Sequence, residues 1–379
     1  MKKIAFSGTL DPITNGHLWV IGEARALADE VVVFISENPF KQPLFPAVQR
    51  KAIVEQALAE RGWHNVGVVI VRGDYTARAA KRQGIDYLIR GIRNTTDFDY
   101  ENLLQQANVD VVEGAKTVFV MPPRDLGSVS SSFVRGLQGP VGWHWSMKKF
   151  VPGPAYEAWI LGWLRKEWEQ LWDYAALDAA AVANADAWFA HLTREKAYGA
   201  PSRHYHNLDH LVHGLTELTV WGANAEADTQ SLSTLKAAFW FHDAVYDVPK
   251  KSVRNEEASA QLWLKSDLPA SNAADVAALI RATDHSQQHA LDRHPLKDVM
   301  LGADLAILGQ SETIYQTYTE TVRGEYAWVE APTYRAGRKA VLQHFLAAAK
   351  SGELFADIYF KNLYEANALR NLQREIDAL

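Results

Sequence analysis

The stretch Ser7-Gly8-Thr9-Leu10-Asp11-Pro12-Ile13-Thr14-Asn15-Gly16-His17-Leu18 gathers residue types that handle phosphate. An apolar run from Lys3 to Phe6 reads as a buried strand. Gly8, Pro12 and Gly16 then break the chain, and Leu18, Val20, Ile21 and Ala24 to Leu27 resume with helical spacing. His17 is therefore expected at a helix N-terminus, where the helix dipole and unpaired backbone N–H groups favour anions. Further charge and hydroxyls follow later apolar runs. Lys41 stands in the loop after the second run, and Arg90 and Arg93 flank Gly91 after the fourth, where two guanidiniums can match phosphate oxygens bidentately. Asp97 and Glu101 open the next helix one turn apart on a single face, which also suits the helix dipole. Ser130, Ser131 and Ser132 stand at another helix start, where serines cap the helix, meet distal phosphates, or both.

A second chemistry is written beyond residue 172, which holds ten of the 13 histidines. His206 and His210 are four apart and are expected on one helical face. His242-Asp243 follows in another apolar helix and Asp304 in a third. The chain has no cysteine, so any metal must be held by His and carboxylates. Two His with two carboxylates suit a divalent ion such as Mn, Fe, Mg or Zn, with positions left for water and phosphate. His285, in the same half, is read either as a second-metal or phosphate contact or as a surface residue. Arg335 and Arg338, three apart, are read either as phosphate clamps or as ordinary solvated residues, and His213 and His289 carry no assignment.

The elements that must position these residues alternate in the first half: Glu30 to Ile35, then 47–60; Val66 to Val71, then 75–83; Tyr87 to Ile89, then 97–112; Thr117 to Met121, then 131–137. This pattern predicts an α/β, Rossmann-like parallel sheet with ligands at the carboxyl ends of its strands. After a Trp-rich joint, strand signals nearly vanish, and the rest reads as all-α. Trp159 with Trp163, and Trp168 with Trp172, make helical apolar stripes read as core or interdomain packing. Two domains are expected, 1–172 and 173–379.

Thr14-Asn15-Gly16-His17 resembles the T/HxGH signature of the nucleotidyltransferases. The longer run from Gly8 to His17 resembles phosphopantetheine adenylyltransferase, with Ser7 where that family usually has proline and Leu10 where it usually has phenylalanine. Arg90-Gly91-Ile92-Arg93 with Asp97-Phe98-Asp99-Tyr100-Glu101, and Val129-Ser130-Ser131-Ser132-Phe133-Val134-Arg135, resemble its later signatures. The resemblance implies transfer of an adenylyl group from ATP, accompanied by Mg²⁺, to 4′-phosphopantetheine. In it His17 would meet the α-phosphate, Thr9 the acceptor phosphate, Lys41 and Arg93 phosphates, Arg90, Asp97 and Glu101 the nucleotide site, and Ser130, Ser131 and Ser132 the leaving β,γ portion.

Tyr205-His206-Asn207-Leu208-Asp209-His210, His242-Asp243 and Asp304, taken in order, resemble the HD-superfamily phosphohydrolases. The segment as a whole resembles bacterial proteins described as metal-dependent HD phosphohydrolases, a description that carries no substrate. On that likeness His210, His242, Asp243 and Asp304 ligate metal and His206 acts as general acid on an unknown phosphoester. Ala244-Val245-Tyr246-Asp247 departs from the cyclic-nucleotide phosphodiesterases, and Tyr246 from the guanosine-polyphosphate hydrolases, so neither substrate transfers. A bifunctional enzyme is the leading expectation. The alternative is that the transferase-like half is a nucleotide- or CoA-sensing module controlling the hydrolase.

Composition restricts the remaining classes. Hydrophobic content of 48% with 22% charged residues is ordinary for a globular chain, and no segment nears the roughly 20 apolar residues of a membrane helix. Residues 1–172 carry 20 Lys and Arg against 18 Asp and Glu, leaving the acidic excess to the second half. That balance suits a small polyanionic ligand, not nucleic acid. The chain enters its first strand within a few residues without a long apolar leader, so a cytoplasmic protein is expected, with homo-oligomerisation left open.

Overall fold

A helix that carries the chain back across a sheet leaves the next strand pointing the same way, so alternating strands and helices settle as a parallel sheet. The computed structural model describes residues 1–37, 42–112, 115–194, 196–247, 254–270, 272–284 and 294–379. Its first unit contains β1 (Lys3–Gly8), α1 (Asn15–Leu27), β2 (Glu30–Ser36), α2 (Ala47–Glu60), β3 (Val66–Val71), α3 (Thr76–Arg82), β4 (Tyr87–Gly91), α4 (Thr95–Val112), β5 (Lys116–Val120), α5 (Ser131–Gly136) and α6 (Trp143–Lys148).

The strands pair in parallel in the order β3-β2-β1-β4-β5, with Lys3 beside Glu30 and Ile4 beside Tyr87. The chain winds one way through β2 and β3 and the other way through β4 and β5. The gap between β1 and β4 is therefore the switch point where such sheets take ligands. Ala5, Val32, Phe34, Val71, Ala79, Ala80, Ile85 and Leu88 form a core cluster of this unit. Truncating the fully buried Phe34 to Ala would cost about 3–5 kcal/mol.

The helices continue with α7 (Gly153–Leu171), α8 (Ala179–Thr193), α9 (Leu208–Asn224), α10 (Thr229–Phe241), α11 (Asn255–Leu264), α12 (Ala273–Ala282), α13 (Lys297–Leu305), α14 (Glu312–Glu325), α15 (Ala331–Ser351) and α16 (Ile358–Ala378). Among the described residues this part contains no strand, so the α/β and then all-α order read from the sequence holds. No helix of the described residues is long and apolar enough to cross a membrane.

The chain divides into two units, Met1–Gly139 with Trp143–Trp159 and Pro140–Gly142 with Ile160–Leu379. This division falls within α7, ahead of the expected Trp172, because the start and end of that helix are tied differently. Trp159 Nε1 donates to Gln138 at 2.8 Å, while Trp168 Nε1 donates to the Ala185 carbonyl at 3.1 Å. Of the four tryptophans at helical spacing, Trp159, Trp168 and Trp172 are buried and Trp163 is half-buried. Trp168 meets Trp240 edge-on at 4.8 Å, and Trp172 stacks with Trp263 at 6.0 Å.

Candidate active sites

In the first unit, α1 begins where the sequence placed it. Thr14 caps the helix, its Oγ1 accepting the His17 N–H at 3.4 Å, and the Thr14 backbone N–H reaches His17 Nδ1 at 3.0 Å. A backbone N–H can only donate, so Nδ1 accepts and the ring proton sits on Nε2. Burial, with the Arg93 charge adding to it, lowers His17 to about 4, leaving a neutral imidazole at pH 7. Gly16 is needed for close approach, since a Cβ there would lie 3.1 Å from the Val129 carbonyl.

Arg90 lies within β4, which runs to Gly91, two residues past the expected end at Ile89, and donates to the Ser7 carbonyl near the end of β1. Its Nε is 3.1 Å from Glu101 Oε2. Arg93 grips Asp97 with two bonds, Nε to Oδ2 at 2.6 Å and Nη2 to Oδ1 at 3.1 Å, and this holds the Asp97 carboxyl below its ordinary range although burial opposes it. Asp97 and Glu101 thus share a face, as expected, and use it to aim the two guanidiniums. Ser130 caps α5 by accepting the Phe133 N–H, Ser131 Oγ donates to the Pro12 carbonyl at 2.8 Å, and Ser132 is exposed. The Thr9 carbonyl is held by Arg50. Lys41 lies outside the described residues.

The second unit brings its expected ligands together from α9, from α13 and from the turn that ends α10. His242 caps that helix at its C-terminus and Asp243 follows it, whereas the sequence pattern places both inside the helix. His210 Nε2 and His242 Nε2 are 3.1 Å apart, and Asp304 Oδ1 lies 3.5 and 3.4 Å from them. Asp243 Oδ2 stands 3.6 Å from the first and 3.2 Å from the second. His242 Nδ1 faces the Phe239 carbonyl at 2.8 Å; a carbonyl only accepts, so Nδ1 keeps its proton and Nε2 points into the cluster. Burial disfavours charge on both rings and lowers His210 to about 3, with His242 adding to the effect. For His242 the Asp243 carboxylate overrides burial and raises it well above its ordinary value. Two imidazole nitrogens this close have room for one positive centre between them, and the carboxylates demand one. His210, His242 and Asp304, with Asp243 beside them, therefore fit a metal ion.

His206 departs from its expected place. It precedes the N-cap Asn207 of α9, so it lies in the turn before the helix and does not share a helical face with His210. Its ring nevertheless comes to 5.7 Å from that of His210, with Nε2 3.9 Å from Asp243 Oδ2. Burial works against its charged form, but Asp243 and Glu325 outweigh it and raise the His206 pKa.

Sequence reading missed Glu325. Its side chain is 2% exposed, and it takes the N–H groups of Tyr205 and His206 on Oε1, both at 2.9 Å, and His206 Nδ1 on Oε2 at 2.7 Å. A signal existed, because Tyr315, Tyr318, Val322 and Glu325 mark one buried face of α14 at helical spacing. Arg203, also missed, donates to the carbonyls of His206, Asp243 and Ala244 and so sets the backbone of both elements. Tyr246 stacks on His206 at 4.0 Å.

Arg338 is bound on both sides, to Glu375 at 2.8 and 3.1 Å and to the Tyr318 hydroxyl at 3.2 Å, which makes it a structural tie and not a free phosphate clamp. Arg335 is exposed. His213 pairs with Glu217 at 3.1 Å. His285 and His289 lie outside the described residues.

Residues 5–137 match the family described as cytidylyltransferase-like. The chain is 36% identical over 156 residues to phosphopantetheine adenylyltransferase of Chromobacterium violaceum, covering 41% of this chain and 94% of that protein. It is 33% identical over 156 residues to the protein of the same name from Neisseria meningitidis serogroup C, covering 41% and 91%. It is 39% identical over 132 residues to that from Streptococcus suis, covering 35% and 80%.

Proposed function

The chain belongs, through its first unit, to the phosphopantetheine adenylyltransferase family, and we propose on that premise that this unit moves the adenylyl group of ATP to 4′-phosphopantetheine, giving dephospho-coenzyme A and pyrophosphate. A phosphate oxygen of the acceptor attacks the α-phosphorus in line. The bond from that phosphorus to the β-phosphate bridge breaks, and pyrophosphate departs with the electron pair, so no covalent enzyme intermediate is needed. Catalysis of this kind is positioning and charge stabilisation. The observation that carries the reading is the neutral His17 at the switch point, its Nε2–H left to donate to an α-phosphate oxygen as charge grows there. Thr9 places the acceptor, Arg90 and Arg93 meet the nucleotide and phosphates from their carboxylate rests, Lys41 adds charge, and Ser130 to Ser132 face the leaving portion. Mg²⁺ travels with ATP.

For the second unit, the histidine–carboxylate cluster supports metal-dependent hydrolysis of a phosphoester. A divalent ion held by His210, His242, Asp243 and Asp304 would supply Lewis acidity toward the ester and acidify a water. His206, protonated and oriented by Glu325, donates its Nε2 proton to the leaving oxygen. The functional halves proposed are 1–172 and 173–379.

The test is a double dissociation in the full chain. His17→Ala should abolish dephospho-coenzyme A formation and leave bound metal unchanged. Asp243→Ala should strip metal and phosphoesterase activity while pyrophosphate release persists. His206→Ala should keep metal and slow hydrolysis, more for alkyl esters than for nitrophenyl esters, whose leaving group scarcely needs a proton. Loss of metal in His206→Ala would overturn the division between ligand and acid. A folded wild type that binds ATP without making product would overturn adenylyl transfer in favour of a sensing module.

A further inference from the structure

Two buried charges stand behind the phosphate turn and take no part in the proposed reaction. Asp11 is 3% exposed and Arg50 4%. Asp11 Oδ1 accepts the Phe45 N–H at 3.0 Å, and Oδ2 accepts the Leu44 N–H at 2.7 Å and an Arg135 guanidinium N–H at 3.0 Å. Arg50, in α2, donates Nε to the Phe45 carbonyl at 3.0 Å and Nη1 to the carbonyls of Ser36, at 3.4 Å, and Thr9. The pair therefore holds Phe45 by both its N–H and its C=O, and holds the chain on either side of Leu10.

Leu10 has φ +48°, in the left-handed region that a residue with a Cβ seldom adopts, and it is 1% exposed. Such a residue persists only where its surroundings over-determine it. Here Arg50 fixes the residue before it, and Leu44, Phe45 and Arg135 fix the residue after it. The three segments so joined are the phosphate turn, the loop leading into α2, and α5.

We propose that Asp11 and Arg50 are positioning residues for adenylyl transfer: a buried brace that keeps Leu10 left-handed, sets Thr9 toward the acceptor phosphate and fixes Leu44 and Phe45 against the turn. The catalytic part of this proposal rests on the adenylyl-transfer reading; the brace itself does not. In a reaction that depends on placement, a displacement of about 1 Å is worth about a hundredfold in rate. Asn in place of Asp11 has one acceptor oxygen to offer where the carboxylate offers two, and turns an NH2 toward groups that are themselves donors. Lys in place of Arg50 cannot span three carbonyls with a planar fork.

The test uses Asp11→Asn and Arg50→Lys in the full chain, so that one variant can stand if the other fails to fold. We expect kcat for dephospho-coenzyme A formation to fall about tenfold or more while KM for ATP stays within about threefold. A merely structural role would not produce coupling to Thr9. In the double variant Arg50→Lys with Thr9→Val, the loss should stay within about threefold of the worse single change, whereas independent losses would multiply. Hydrogen exchange at the Leu44 and Phe45 amides should be protected in the wild type and about tenfold faster in Asp11→Asn.

Folded variants with kcat within about twofold of wild type, multiplying losses, or unchanged exchange would each overturn the proposal. An inactive wild type would overturn the adenylyl-transfer reading and the catalytic part with it, while protected amides at 44 and 45 would still uphold the brace.

Discussion

His17 should titrate far below an ordinary histidine, and this governs both chemistry and stability. The folded value is about 4 against 6.5 for a free imidazole, because burial and then the Arg93 charge disfavour the cation. The difference is about 2.5 units at 1.36 kcal/mol each, or roughly 3 kcal/mol, an upper figure because the ring is only half-buried. Between pH 6.5 and 4 the unfolded chain holds more protons than the folded one, so stability falls as the pH falls through that window. About 2 kcal/mol of the cost has accrued by pH 5.

His17→Gln keeps a polar side chain and removes the titration. Its acid-unfolding midpoint, followed by circular dichroism, should lie at lower pH than that of the wild type. Imidazole resonances of isotopically labelled wild type should place the His17 midpoint near pH 4, and Arg93→Gln should move it up. ATP should also move it up, because an adjacent phosphate favours the cation. A midpoint at or above about pH 6 in the ligand-free protein would refute the reasoning that His17 acts as a neutral donor.

Other perturbations have equally definite outcomes. Glu325→Gln replaces a charged acceptor by an amide; losing a charge-assisted bond of about 1.5–3 kcal/mol should slow phosphoester hydrolysis by about 10- to 150-fold with metal content unchanged. Gly214→Ala would drive a Cβ to 1.8 Å from Phe239 Cζ, so α9 and α10 must part, costing at least about 1–3 kcal/mol. Because Phe239 also anchors His242, metal affinity should fall along with the melting temperature. Arg338→Lys should lower the melting temperature by breaking the fork to Glu375, with hydrolysis by the remaining folded protein unaltered.

Local pattern made the first unit readable. Val and Ile runs between helical stretches have only one economical arrangement, and Thr14 to His17 is a helix start whose capping is settled within four residues. Asp97 and Glu101 could be placed on one face, but not their pairing with Arg93 and Arg90, since a sequence shows which side chains are available and not which will meet. The expectation that His206 and His210 share a helical face failed for a local reason. Asn207 caps α9 by accepting the N–H groups of Asp209 and His210, which stops the helix short of His206. Glu325 joins His206 across 119 residues, and Arg338 finds Glu375 across 37; pairings at such separations leave no period in the sequence. The same holds for Arg50 and Thr9, 41 residues apart.

The most direct test of adenylyl transfer is the fate of oxygen. With 4′-phosphopantetheine labelled by ¹⁸O in its phosphate and unlabelled ATP, mass spectrometry of the products should find all the label in dephospho-coenzyme A, including the new bridge to the adenylyl phosphorus, and none in pyrophosphate. Label in the pyrophosphate, or no dephospho-coenzyme A from the folded chain with Mg²⁺ present, would contradict attack by the acceptor phosphate at the α-phosphorus beside His17.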